Sequence, residues 1–292
     1  MLTDLGHRPL IVAAVTPLTD DGASLDPAAI PAYVEFLESH GADGAFVCGT
    51  TGEGVLLSSD ERRRAAEAYR AALNGRLIVH AGAQTTADTV ALAEHARAIG
   101  ADAVAVIPPP YFPLDDEALT AHFVAAARAA DPLPFFCYAF TARSGYPLPV
   151  EVIRRIGSSV DNLAGLKVSE SPFERVAPYL DLGLPVLVGS EPLIPAAIAG
   201  GALGTVSGMA AALPDVVRAA VDAPGEAAAA RLRAVRGAMD ASGQFIASAK
   251  HILRGRGVGI SPGVRAPLRA LRSEEAARLD AALAPLLEPS AA

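Results

Sequence analysis

The sequence predicts an α/β fold, a closed (β/α)8 or TIM barrel with extra C-terminal helices. Three observations carry the prediction: eight short apolar runs, a longer amphipathic stretch after each, and a length of 292 residues, near the ~250 residues typical of such barrels. The runs are Pro9–Val15, Gly44–Cys48, Leu77–Ala81, Ala103–Ile107, Pro134–Tyr138, Leu163–Val168, Pro185–Val188 and Gly204–Ser207. Strands that are apolar on both faces and alternate with helices form a parallel sheet covered on each side. Two half-chains with open sheets are the competing arrangement, but no linker separates two such halves.

The helices are expected at about 27–40, 60–73, 86–99, 115–130, 149–156, 172–181, 191–199 and 214–223. Gly41, Gly75, Gly100 and Gly183 each fall just past one of them, where a left-handed C-cap is wanted. Residues 225–255 and 272–288 continue the helical pattern across the turn-rich segment Gly255–Pro262. Residues 1–224 therefore read as the barrel and 225–292 as a helical extension packed on it, within one structural domain. The run Ala227–Ala230 is low in complexity but helical, since alanine is the best helix former.

A 51% hydrophobic content and mean hydropathy of +0.33 supply a large core. The net charge of -8 and pI near 5.3 disfavour nucleic acid and anionic membranes, which would be repelled on average. Small molecules are the expected ligands. No apolar window reaches the roughly 18–20 residues that span a bilayer, and the run Leu10–Val15 reads as a strand rather than the core of a signal peptide. Cys48 and Cys137 are too few and too widely spaced for a disulfide framework, which fits a reducing cytosol and a cytoplasmic location.

Only two of the 24 basic residues are lysines, and one, Lys167, interrupts the apolar run Leu163–Val168. A buried amine carries a desolvation cost unless it is paired, neutralised or put to chemical use. Desolvation can lower a lysine pKa from about 10.4 by up to roughly 3–5 units, giving the free amine that condenses with a carbonyl. A snorkelling lysine at a strand end is the other reading of its position.

Barrel active sites are built at the carboxyl ends of the strands. There, strand two leads into Gly49-Thr50-Thr51-Gly52-Glu53-Gly54, whose hydroxyls and backbone N–H groups suit a carboxylate or phosphate. It matches neither a Walker A loop nor G-x-G-x-x-G, and a plain tight turn is its structural alternative. By alternation, Tyr138 on strand five and Lys167 on strand six face the interior together, placing a phenol where it can move protons. Arg143, in a predicted loop with Ser144 and Gly145, suits bidentate carboxylate binding. No HExxH or CxxC occurs, and the histidines at 7, 40, 80, 95, 122 and 251 lack ligand spacing, so metal-independent chemistry is expected. The run Glu61–Arg64 and the basic region Arg254–Arg265 read as helix and loop surface.

Taken together, Gly49-Thr50-Thr51-Gly52-Glu53, Tyr138, Arg143-Ser144-Gly145 and Gly165-Leu166-Lys167 resemble the dihydrodipicolinate synthase and N-acetylneuraminate lyase family of pyruvate-dependent aldolases, over nearly the whole chain. The resemblance implies a Schiff base between Lys167 and pyruvate or another 2-keto acid, with no cofactor beyond that covalent imine. It implies Tyr138 as proton shuttle, Thr50 and Thr51 as carboxylate holders with Thr51 relaying protons to Tyr138, and Arg143 binding the carboxylate of a second substrate. Gly189, Ser190, Phe112 and Ser207 are further expected substrate contacts, and the Tyr111-Phe112 loop lies where family members meet as dimers or tetramers.

Three positions depart from the synthase pattern. Phe112 lacks the hydroxyl of the synthase's tyrosine, Val168-Ser169 follows the lysine where an acidic residue is usual, and Gly189-Ser190-Glu191 stands for glycine and two aspartates. The expected function is thus a lyase joining or splitting pyruvate and a sugar-derived or other small aldehyde. Dihydrodipicolinate synthase and a keto-deoxy sugar acid dehydratase are the enzymatic alternatives, and a keto-acid-binding sensor is the non-enzymatic one.

Overall fold

The computed structural model describes residues 2–287. Eight strands, β1 (Leu10–Ala13), β2 (Gly44–Val47), β3 (Arg76–His80), β4 (Ala103–Val106), β5 (Phe135–Ala139), β6 (Leu163–Val168), β7 (Val186–Val188) and β8 (Gly204–Ser207), pair in chain order. Every pairing is parallel, and β8 closes on β1 through Leu10–Thr205, Ile11–Val206 and Val12–Ser207. All eight predicted strands exist: β1, β2, β4 and β7 are shorter than the apolar runs that announced them, β3 and β5 are shifted by one residue, and β6 and β8 coincide with theirs.

The helices are α1 (Ile30–Ser39), α2 (Ser59–Ala72), α3 (Thr86–Ala98), α4 (Asp116–Ala130), α5 (Thr141–Ser144), α6 (Val150–Gly157), α7 (Ala177–Leu180), α8 (Ile194–Ala199), α9 (Pro214–Asp222), α10 (Glu226–Asp240), α11 (Phe245–Gly255) and α12 (Ser273–Leu287). Ser58 begins α2 with a capping box: its hydroxyl accepts from the Glu61 N–H while the Glu61 carboxylate accepts from the Ser58 N–H. Thr85 and Asp115 cap α3 and α4 with single side-chain bonds, accepting from the N–H groups of Asp88 and Ala118. The apolar faces of these helices and the outward strand residues form one core layer, and inward residues such as Phe46, Ile78, Phe136 and Leu187 fill the barrel.

Four expectations are corrected. Residues 225–255 are two helices, broken at Ala241–Gln244 where Gly243 adopts φ +69°. Gly41, Gly100 and Gly183 have positive φ, but Gly75 does not; a Cβ there would stand 2.6 Å from the Asp43 carbonyl oxygen, so close approach explains that glycine. Arg143 lies on the short helix α5 rather than in a loop. Arg62 is not surface: it is only 5% exposed, its guanidinium donating to the carbonyl oxygens of Gly82 (3.0 Å) and His80 (2.6 Å). Of the predicted helix 272–288, residue 288 lies outside the described residues.

Candidate active site

Parallel pairing puts Tyr138 of β5 directly beside Lys167 of β6, and both side chains point into the barrel, 2% and 4% exposed. Gly165, two residues before the lysine on the same face, leaves room for the Phe136 ring, which a Cβ would meet at 2.6 Å. The Lys167 Nζ lies 3.6 Å from the Phe46 ring centroid and 4.1 Å from that of Tyr138. Among the described residues it forms no hydrogen bond or ion pair with a carboxylate. Burial lowers its pKa from 10.5 to about 7, with Glu191 opposing from a distance.

The Tyr138 hydroxyl lies 3.5 Å from Thr50 Oγ1. Burial raises the phenol pKa, and hydrogen bonds from Thr50 and Ser169 pull it back. Ser169 reaches this place because residue 189 is glycine, whose Cβ would collide with the serine hydroxyl. Of the two threonines it is Thr50 whose hydroxyl stands at Tyr138, whereas the hydroxyl of Thr51, expected to be the relay, is turned to Gly208, 2.9 Å from where a Cβ would sit. The backbone N–H groups of Thr50 and Thr51 have no hydrogen-bond partner among the described residues, which leaves them for an anion.

These groups line a cleft of about 660 Å³ together with Arg143, Gly189, Ser190 and Glu191. Arg143 is exposed, stacked 5.6 Å over Phe140, with no carboxylate partner among the described residues. Its helix is tethered by Glu170, which accepts from the Thr141 N–H (2.6 Å) and hydroxyl (2.9 Å). Ser207 is wholly buried beneath the cleft, donating to Glu191 Oε1 at 2.9 Å. Phe112 is 71% exposed and does not line the cleft.

Another part of the cleft lining is an ion pair between Glu191, which the sequence marks only as a departure from the synthase pattern, and Arg236, which it does not mark. Glu191, almost fully buried, accepts from Ser207 and the Met209 N–H, and pairs with Arg236 of α10 at 2.8 Å. Arg236 also bonds Asp240 and stacks 4.4 Å over Phe245 of α11. An acidic residue three positions past β7 was a usable signal for Glu191. Nothing local marks Arg236, which reaches the cleft because α10 packs on the turn after β7 that carries Glu191.

A closed parallel barrel whose buried lysine, at the carboxyl end of β6, has a tyrosine beside it and no carboxylate partner among the described residues defines an aldolase–lyase type of site. The chain belongs to the dihydrodipicolinate synthetase family, whose profile matches residues 7–285. An uncharacterised DapA-like lyase of Halobacterium salinarum is 34% identical over 286 residues, covering 94% of this chain and 93% of that one. A second such lyase, of Pyrococcus abyssi, is 37% identical over 160 residues, which is 55% of this chain and 53% of the relative. Among solved structures, the N-acetylneuraminate lyase of Proteus mirabilis superposes with a TM-score of 0.85 at 28% identity, covering 96% of this chain and 98% of that one.

Proposed function

We propose that the protein is a Schiff-base lyase that joins or splits pyruvate and a small, sugar-derived or similar aldehyde. The observation that carries this reading is the Lys167 amine, buried without a carboxylate partner and with its pKa lowered to about 7. The free amine attacks C2 of pyruvate, the carbinolamine loses water, and the resulting imine withdraws electrons from C3. Loss of a C3 proton gives the enamine, whose carbon adds to the aldehyde; the reverse sequence cleaves the same bond. Because the iminium is the electron sink, this chemistry calls for neither metal nor cofactor. Tyr138 moves the protons, Thr50 and Thr51 hold the pyruvate carboxylate through their unpartnered N–H groups, and Arg143 takes an anionic group of the partner. Gly189 and Ser190 border the aldehyde side, Ser207 acts there only through Glu191, and Phe112 lies outside the cleft.

The exposed Tyr111-Phe112 pair, 81% and 71% accessible, supports assembly as a homodimer or homotetramer. The reading treats residues 1–224 and 225–292 as one structural domain, since Arg236 completes the cleft. No described helix is long and apolar enough to cross a membrane, and two buried free cysteines agree with a cytoplasmic home. A panel of keto-deoxy acids assayed for pyruvate release tests the function. Release from at least one establishes the lyase; thermal stabilisation by pyruvate without turnover of any, or of aspartate semialdehyde in the synthase direction, favours the sensor.

A further inference from the structure

His80 is buried in the floor of the site and plays no part in the chemistry above. It ends β3, is 8% exposed, and packs its ring against Phe46 and Tyr138, each at 5.9 Å between centroids. These are the two rings over which Lys167 rests. Its Nδ1 lies 3.1 Å from the carbonyl oxygen of Cys48. A carbonyl only accepts, so Nδ1 carries the hydrogen and Nε2 is left as a lone pair, unpartnered among the described residues.

The Cys48 carbonyl matters because of what it precedes. Cys48 has φ +58°, a left-handed conformation that non-glycine residues seldom adopt, and it turns the chain from β2 into the segment that presents Thr50 and Thr51. A side chain at Gly54 would strike the same carbonyl, so the turn closes tightly around it. On the other side, Arg62 grips the carbonyl oxygens of His80 and Gly82 and fixes the end of β3. The charged groups that face His80 are Arg62 and Lys167, and with burial they hold its pKa well below the ordinary value, outweighing the Cys48 hydrogen bond. A neutral imidazole adds no positive charge beneath the lysine.

We propose that His80 is a positioning residue: its Nδ1–H anchors the strained Cys48 carbonyl, and thereby the turn that brings Thr50 to Tyr138, while its ring supports the two aromatic faces under Lys167. The proposal rests on the Lys167 nucleophile reading. Losing one such hydrogen bond is expected to slow imine formation about tenfold.

Two measurements on the full chain test it. In ¹⁵N-histidine spectra the signals absent from His80→Asn identify His80, which should be the neutral Nδ1–H tautomer at neutral pH; an Nε2–H tautomer or an imidazolium there overturns the proposal. The second is the rate of borohydride trapping by pyruvate on Lys167, with thermal stability recorded in parallel. His80→Leu, which keeps bulk but no donor, should trap about tenfold more slowly, and His80→Asn, whose amide nitrogen sits near the Nδ1 position, within about threefold of the wild type. Equal rates for the Leu variant and wild type, or equal slowing in both variants, overturn it. Should the Leu variant not fold, the Asn rate decides alone, and slowing of about tenfold or more overturns the proposal. Absence of any adduct in the wild-type protein removes the nucleophile reading, and this inference falls with it; slowing confined to the variants leaves that reading intact.

Discussion

Lys167 and Lys250, the chain's two lysines, are both buried, yet their surroundings are opposite. Lys250 of α11 donates to Glu53 Oε1 at 2.8 Å and to the Gly263 carbonyl at 2.6 Å, and Glu53 also accepts from the Arg265 N–H. That cluster ties the β2 turn to the segment preceding α12. Lys167 has two aromatic faces and an open cleft. Burial lowers both pKa values, but only Lys250 has an adjacent carboxylate to offset it. What sets Lys167 apart is therefore not burial itself but burial at the edge of a cavity with no carboxylate partner among the described residues, the feature on which the proposed function rests.

Exchanging features of the two sites should break this contrast, most severely at Lys167. Lys167→Met should abolish turnover and pyruvate adduct formation, whereas Lys250→Met in a Glu53→Met background should keep both, as read by pyruvate release. Tyr138→Phe keeps the ring under the amine and removes the proton carrier; kcat should fall by about 10²–10⁴. Glu53→Gln leaves Lys250 as an uncompensated buried charge and should cost about 3–5 kcal/mol in denaturant unfolding, with the double Met variant costing far less.

Lys167→Met should also stabilise the fold, by about 2–4 kcal/mol near neutral pH, because a depressed lysine pKa is a folding cost. The folded pKa of about 7 lies below the unfolded value near 10.5, so the unfolded chain holds the extra proton between them. The advantage of the Met variant should be full below pH 7 and shrink as pH rises toward 10.5. The same shift predicts that imine formation speeds up through about pH 7 and then levels off. Ser169→Ala, which removes one of two hydroxyls at Tyr138, should have the smallest effect, about tenfold in kcat.

The strands were legible because parallel barrels need apolar runs of regular spacing, and the pairing of Tyr138 with Lys167 followed from alternation. That the Thr50 hydroxyl rather than that of Thr51 stands at Tyr138 was not legible, because it depends on a turn with left-handed residues at Cys48 and Glu53, which no periodicity announces. Arg62 reads as surface in a run of three arginines, since its carbonyl partners lie across a turn on β3 and just after it. Arg236 meets Glu191 through the packing of α10 on the turn after β7, a contact across 45 residues of sequence that no local pattern announces.

The most direct test is borohydride reduction with pyruvate followed by mass spectrometry of the intact chain and its peptides. The account predicts a single pyruvate-derived adduct on Lys167; no adduct, or one on Lys250 alone, would contradict it.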